Sequence, residues 1–75
     1  MTMFQLRLRE LRKEKGLTQD VLAEQLGTKG DSIYSWEKGR SEPSIATLCN
    51  ICRIFEVSAD YLLGLEDETG ARKYR

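Results

Sequence analysis

The stretch from Leu22 to Trp36 restricts the fold more than any other part of the chain. Two helical apolar patterns, Leu22-Ala23-Leu26 and Ile33-Trp36, are separated by a few residues centred on Gly27. So short a connection forces the two helices to cross steeply, and a small residue must stand where they touch. Ala23 is that residue. Gly27 makes the turn, Ile33 plugs the angle between the helices, and Trp36, one turn further on, extends the plug. Leu22, Ala23, Gly27, Ile33 and Trp36 are therefore expected to form the core of the pair.

The rest of the chain repeats the helical period, and no strand pattern is present. Phe4, Leu8 and Leu11 give one apolar face to a first helix over about 3–15, ended by Lys15 and Gly16. Thr18 caps a second helix and places Asp20 near its positive end. The third covers about 30–37 and stops at Gly39. After Pro43, Ser44 caps a fourth over about 45–55, with Ile45, Leu48, Ile51, Cys52 and Phe55 as its inner face. Ser58 caps a short fifth carrying Tyr61, Leu62 and Leu65. The expected architecture is all-α, a compact five-helix domain over 1–65, followed by a short charged tail over 66–75. Leu6 and Val21 lie off these stripes; they are either scattered surface apolar residues or a partner contact.

Seventy-five residues allow one small domain. With 40% hydrophobic and 32% charged residues, the composition is that of a globular chain. Histidine is absent, which removes every His-based shuttle, nucleophile and metal site. Cys49 and Cys52 do not make a disulfide framework, and the N-terminus does not resemble a signal peptide, so a reducing cytoplasm is expected. No apolar run approaches the roughly 20 residues needed to span a bilayer. The spacing Cys-x-x-Cys is open to a redox or zinc reading, but with no second pair it reads first as packing in the fourth helix. No nucleophile–base set, phosphate-binding glycine loop or metal constellation is present, so no catalytic, cofactor or metal site is expected.

Net charge is zero, yet the charges are polarised. Residues 1–15 carry five cations against Glu10 and Glu14, whereas residues 41–68 carry Arg53 against six acids. One face of such a domain can be directed at a polyanion.

A short second helix, a tight turn and a third helix presented outward form the helix-turn-helix arrangement. The segments "LRELRKEKGLTQDVLAEQLG", "SIYSWEKGRSEPSIATL" and "FEVSADYLLG" closely resemble the Cro/cI-type (XRE-like) helix-turn-helix domains of phage and bacterial repressors, over about residues 4–64. The resemblance implies a lambda-repressor-like fold. It also implies that Lys29, Gly30, Asp31, Ser32 and Ser35 face DNA bases and that Gln19, Tyr34, Lys38 and Arg40 meet the DNA backbone. Arg12 and Glu37 match a pair that in relatives ties the first helix to the end of the third. Arg12 has a second reading, a free phosphate contact.

Two departures stand out. Relatives often carry a long polar residue where this chain has Gly30, which reads no base but allows close backbone approach. Asp31 can accept from cytosine N4, or it can stabilise the start of the third helix as an acid in its first turn. Glu56 stands where relatives frequently have Gly or Asn, a strained choice if that position is left-handed.

The expected function is sequence-specific binding of double-stranded DNA by a homodimeric transcriptional repressor on a pseudo-palindromic operator. Val57, Tyr61 and Leu65 are the candidate dimer residues. The alternative is a protein-interaction module, an antitoxin or inhibitory partner, that kept the fold and relaxed DNA binding. A regulatory protein partner fits either reading; no membrane and no small-molecule cofactor are expected.

Overall fold

The computed structural model describes residues 3–66. Within them the chain forms α1 (Phe4–Glu14), α2 (Gln19–Leu26), α3 (Gly30–Glu37), α4 (Ile45–Phe55) and α5 (Ala59–Leu63). Three starts are capped as their sequences require. The hydroxyls of Thr18, Ser44 and Ser58 accept from the backbone N–H of Val21, Thr47 and Tyr61 respectively. Each helix ends alike, with a left-handed residue and a bond from the following N–H to a carbonyl five residues back. At the end of α2, Gly27 has φ +70° and the Thr28 N–H reaches the Ala23 carbonyl at 2.9 Å. That closure turns the chain into α3 within three residues.

Phe4, Leu8, Leu22, Ala23, Ile33, Trp36, Ile51, Phe55 and Leu62 form one continuous core. Ala23 is 2% exposed and Ile33 fully buried, so the angle between α2 and α3 is filled as its small and branched residues dictate. Leu11, Leu17, Leu48, Cys52 and Val57 pack around this centre.

Four details differ from the sequence expectation. Ile45 is 82% exposed, not internal. It is the first residue of α4, and side chains lean toward a helix's N-terminus, so here the side chain projects past the end of the element. Cys49 is exposed, and only Cys52 packs inward. Burial pushes the Cys52 thiol up and Cys49 adds to the shift, which favours its protonated form. Among the described residues no group of His, Cys, Asp or Glu is placed to hold a metal ion.

The folded body also reaches Glu66, which the expected boundary placed in the tail. The Glu66 carbonyl accepts from Arg7 at 3.1 Å, and its carboxylate accepts from the Ser58 hydroxyl. The remainder of the expected tail, 67–75, lies outside the described residues. Finally, Arg7 is 6% exposed although the first-helix stripe did not include it. Its guanidinium donates to the Tyr61 carbonyl and stacks 4.2 Å from the Tyr61 ring centre, fastening α1 to α5. None of the described helices is long and apolar enough to cross a membrane.

Candidate nucleic-acid interface

Helix α3 is anchored at its C-terminal end by a side-chain network. Arg12 Nε donates to Glu37 Oε2 at 2.6 Å and Arg12 Nη2 to Glu37 Oε1 at 3.0 Å, a two-pronged pair between α1 and α3. Arg12 Nη1 donates to the Leu17 carbonyl at 2.8 Å, and Gln19 Nε2 donates to Glu37 Oε1 at 3.2 Å. Helices α1 and α2 thus both donate to one carboxylate of α3. The hydrogen bonds that Arg12 donates to Glu37 raise its guanidinium above the ordinary value, against the opposing effect of burial. Of its two sequence readings, Arg12 adopts the paired one, and Gln19 braces the end of α3.

The outer side of α3 holds the residues expected to face DNA in unequal states. Lys29 and Asp31 are exposed, at the cap and in the first turn. Ser32 is half-buried and its hydroxyl accepts from the Thr28 hydroxyl at 3.1 Å; Ser35 is also half-buried. Tyr34, Lys38 and Arg40 are exposed and form a cluster. The Lys38 ammonium lies 5.7 Å and the Arg40 guanidinium 5.5 Å from the centre of the Tyr34 ring.

Gly30 has a neighbour that its sequence did not announce. A Cβ at this position would lie 1.9 Å from Asp20 Oδ1 and 3.1 Å from Asp20 Cγ. The space a side chain would take is filled by the Asp20 carboxylate, which thereby sits beside the positive end of α3 as well as in the first turn of α2. The absent side chain serves contact between α2 and α3.

Sequence reading also passed over two cations of α1. Arg9 and Lys13, both exposed, share a cleft of about 330 Å³ with Tyr34 and Lys38. Their signal was their spacing: four residues apart, they occupy one helix face together.

Of the candidate dimer residues, Leu65 is 40% exposed, while Val57 and Tyr61 are half-buried, Val57 against the core and Tyr61 beneath Arg7.

The fold is shared with known proteins. The family model described as helix-turn-helix matches residues 8–62. An HTH-type transcriptional regulator of Methanothermobacter thermautotrophicus is 40% identical, over 87% of this chain and 94% of its own length. The HTH-type regulator YqaE of Bacillus subtilis is 44% identical over 81% of this chain and 53% of its own. The chain spans about half the length of the first curated relatives it matches. Among solved structures, the P22 c2 repressor, crystallised with a synthetic operator, superposes with a TM-score of 0.78 at 28% identity, over 84% of this chain and 96% of that one. A hydroxypropylphosphonic acid epoxidase also contains the fold, at 24% identity over 35% of its chain and a TM-score of 0.76, a likeness of fold alone. With its motif matched over most of its length and its short α2–turn–α3 unit braced through Glu37, the chain belongs to the Cro/cI-type (XRE-like) helix-turn-helix family.

Proposed function

We propose that this protein is a transcriptional regulator that binds double-stranded DNA by laying α3 in the major groove. The observation that carries the reading is the anchoring of α3: Arg12 and Gln19 fix its end through Glu37 while Lys29, Asp31, Tyr34, Lys38 and Arg40 stay exposed. A helix held rigidly from behind and polar in front is suited to reading a groove. Lys38, Arg40, Tyr34 and Gln19 meet the phosphate backbone in this reading; Lys29, Asp31 and the small residues Gly30, Ser32 and Ser35 lie nearest the bases. The small residues allow close approach, and the Asp31 carboxylate in the first turn of α3 repels misaligned phosphate.

A domain of this size contacts few base pairs, so two copies on a pseudo-palindrome are required for useful specificity. The regulator acts as a homodimeric repressor, with Leu65, Tyr61 and Val57 near the contact between copies. The likeness to a repressor crystallised with its operator supports this assignment.

Binding to random duplex DNA across a salt series tests the reading. The expected result is affinity that falls steeply as salt rises, because each neutralised phosphate releases counterions. Absence of binding even at low salt would sink it. That result would favour the second reading, a protein-interaction module, for which Leu6 (51% exposed) and Val21 (42% exposed) are candidate apolar contacts.

A further inference from the structure

Helix α1 supports the fold through Phe4, Leu8 and Arg12 on its inner side, but its exposed side has no structural task that explains its charges. Arg9 and Lys13 stand four residues apart on one face, a like-charge spacing that weakens an isolated helix. Lys13 gains some compensation from the C-terminal end of α1, whereas Arg9, a turn earlier, does not. Among the described residues neither is ion-paired.

Both cations open onto the cleft between α1 and the end of α3. Its walls carry Arg9, Arg12, Lys13 and Lys38 against the single carboxylate of Glu37. That carboxylate is already occupied: one oxygen accepts from Arg12 Nε, and the other from Arg12 Nη2 and Gln19 Nε2. The cleft therefore presents unneutralised positive charge in a concave seat of about 330 Å³. Tyr34 and Lys38 belong both to this cleft and to the exposed side of α3, so an anion seated in it adjoins whatever α3 reads.

We propose that the cleft is a phosphodiester seat and that Arg9 and Lys13, on α1, are DNA-backbone contacts in addition to those of α2, α3 and the following loop. The inference rests on the DNA-binding reading and extends the footprint across α1. A backbone gripped from both walls fixes the tilt of α3 in the groove as well as its depth.

The test measures the salt dependence of binding to random duplex DNA for four variants beside the wild type. Arg9→Ala and Lys13→Ala each remove one cleft cation, and alanine preserves the helix. Arg53→Ala removes one cation on α4, outside the cleft. Arg9→Lys/Lys13→Arg exchanges the side chains and keeps the charge. The expected result is that each cleft variant reduces the slope of log K against log salt by about 0.9, the contribution of one phosphate contact. Arg53→Ala and the exchange variant should leave the slope unchanged. Equal reductions for Arg9→Ala, Lys13→Ala and Arg53→Ala would overturn the seat in favour of overall charge, and no reduction for the cleft variants would overturn it outright. A wild type that fails to bind at low salt would overturn the DNA-binding reading itself, which separates the two failures.

Discussion

Glu56 is the one described non-glycine residue with positive φ, at φ 55° and ψ 45°, where it closes α4. A side chain in the left-handed region costs about 1 kcal/mol relative to glycine. Glu56→Gly is therefore expected to raise the melting temperature by roughly 4–8 °C for a domain of this size, as read by calorimetry. An unchanged or lower midpoint would show that Glu56 is otherwise compensated. Tyr34 offers a second residue-scale test. Its ring gathers the Lys38 and Arg40 charges, so Tyr34→Phe should keep DNA affinity, whereas Tyr34→Leu should weaken it by roughly 3–10-fold, a cation–π contribution of about 1 kcal/mol. If phenylalanine proves as weak as leucine, the hydroxyl is the working group. Among the described residues Asp31 has no partner that would make it a fixed reader in the free protein, and it lies in the first turn of α3. Asp31→Ala should accordingly tighten binding to all duplexes alike; a loss confined to one base pair would instead identify Asp31 as a base contact.

At the scale of elements, the helices were legible because their causes are local. Caps at Thr18, Ser44 and Ser58, left-handed stops and one apolar stripe per helix all lie within a few residues of what they determine. Contacts between elements were legible where the tight turn dictated them, as for Ala23 and Ile33, or where family resemblance supplied them, as for Arg12 and Glu37. Arg7 beneath Tyr61 and Asp20 against Gly30 escaped notice because no periodicity relates residues on separate helices, and Ile45 misled because a stripe does not show where its helix runs out of neighbours. Three outcomes follow for the α1–α2–α3 joint. Glu37→Ala leaves the Arg12 guanidinium largely buried without its carboxylate and should cost about 3 kcal/mol in denaturant unfolding. Because Glu37 raises Arg12 above its ordinary value, the pair's contribution through Arg12 persists at neutral pH and is lost only in strong alkali, as pH climbs through the raised value. Gly30→Ala should destabilise when Asp20 is present, since the carboxylate must move, but not in an Asp20→Ala background. A coupling of about 0.5–1 kcal/mol in that double-mutant cycle is expected, and strict additivity would show that the carboxylate relocates freely.

At the scale of the whole molecule, among the described residues of α5 and its flanks Leu65 is the one exposed large apolar side chain. A homodimer built there would be weak until DNA joins the two copies. Ultracentrifugation at micromolar concentration should find monomers, while a duplex bearing two half-sites about one helical turn apart should be occupied cooperatively. Moving one half-site by half a turn should abolish that cooperativity; retention would argue that the copies do not touch. The buried Ala23, Ile33 and Trp36 and the braced Glu37 hold α3 from one side, whereas Lys29, Asp31 and Tyr34 occupy the other and bury little. Support and exposed polar groups therefore lie on opposite sides of α3 and its cap. Under the proposed function, substitutions on the outer side change which operator is chosen while the scaffold stays intact, so a lineage of such regulators can drift to new DNA targets without passing through an unfolded ancestor.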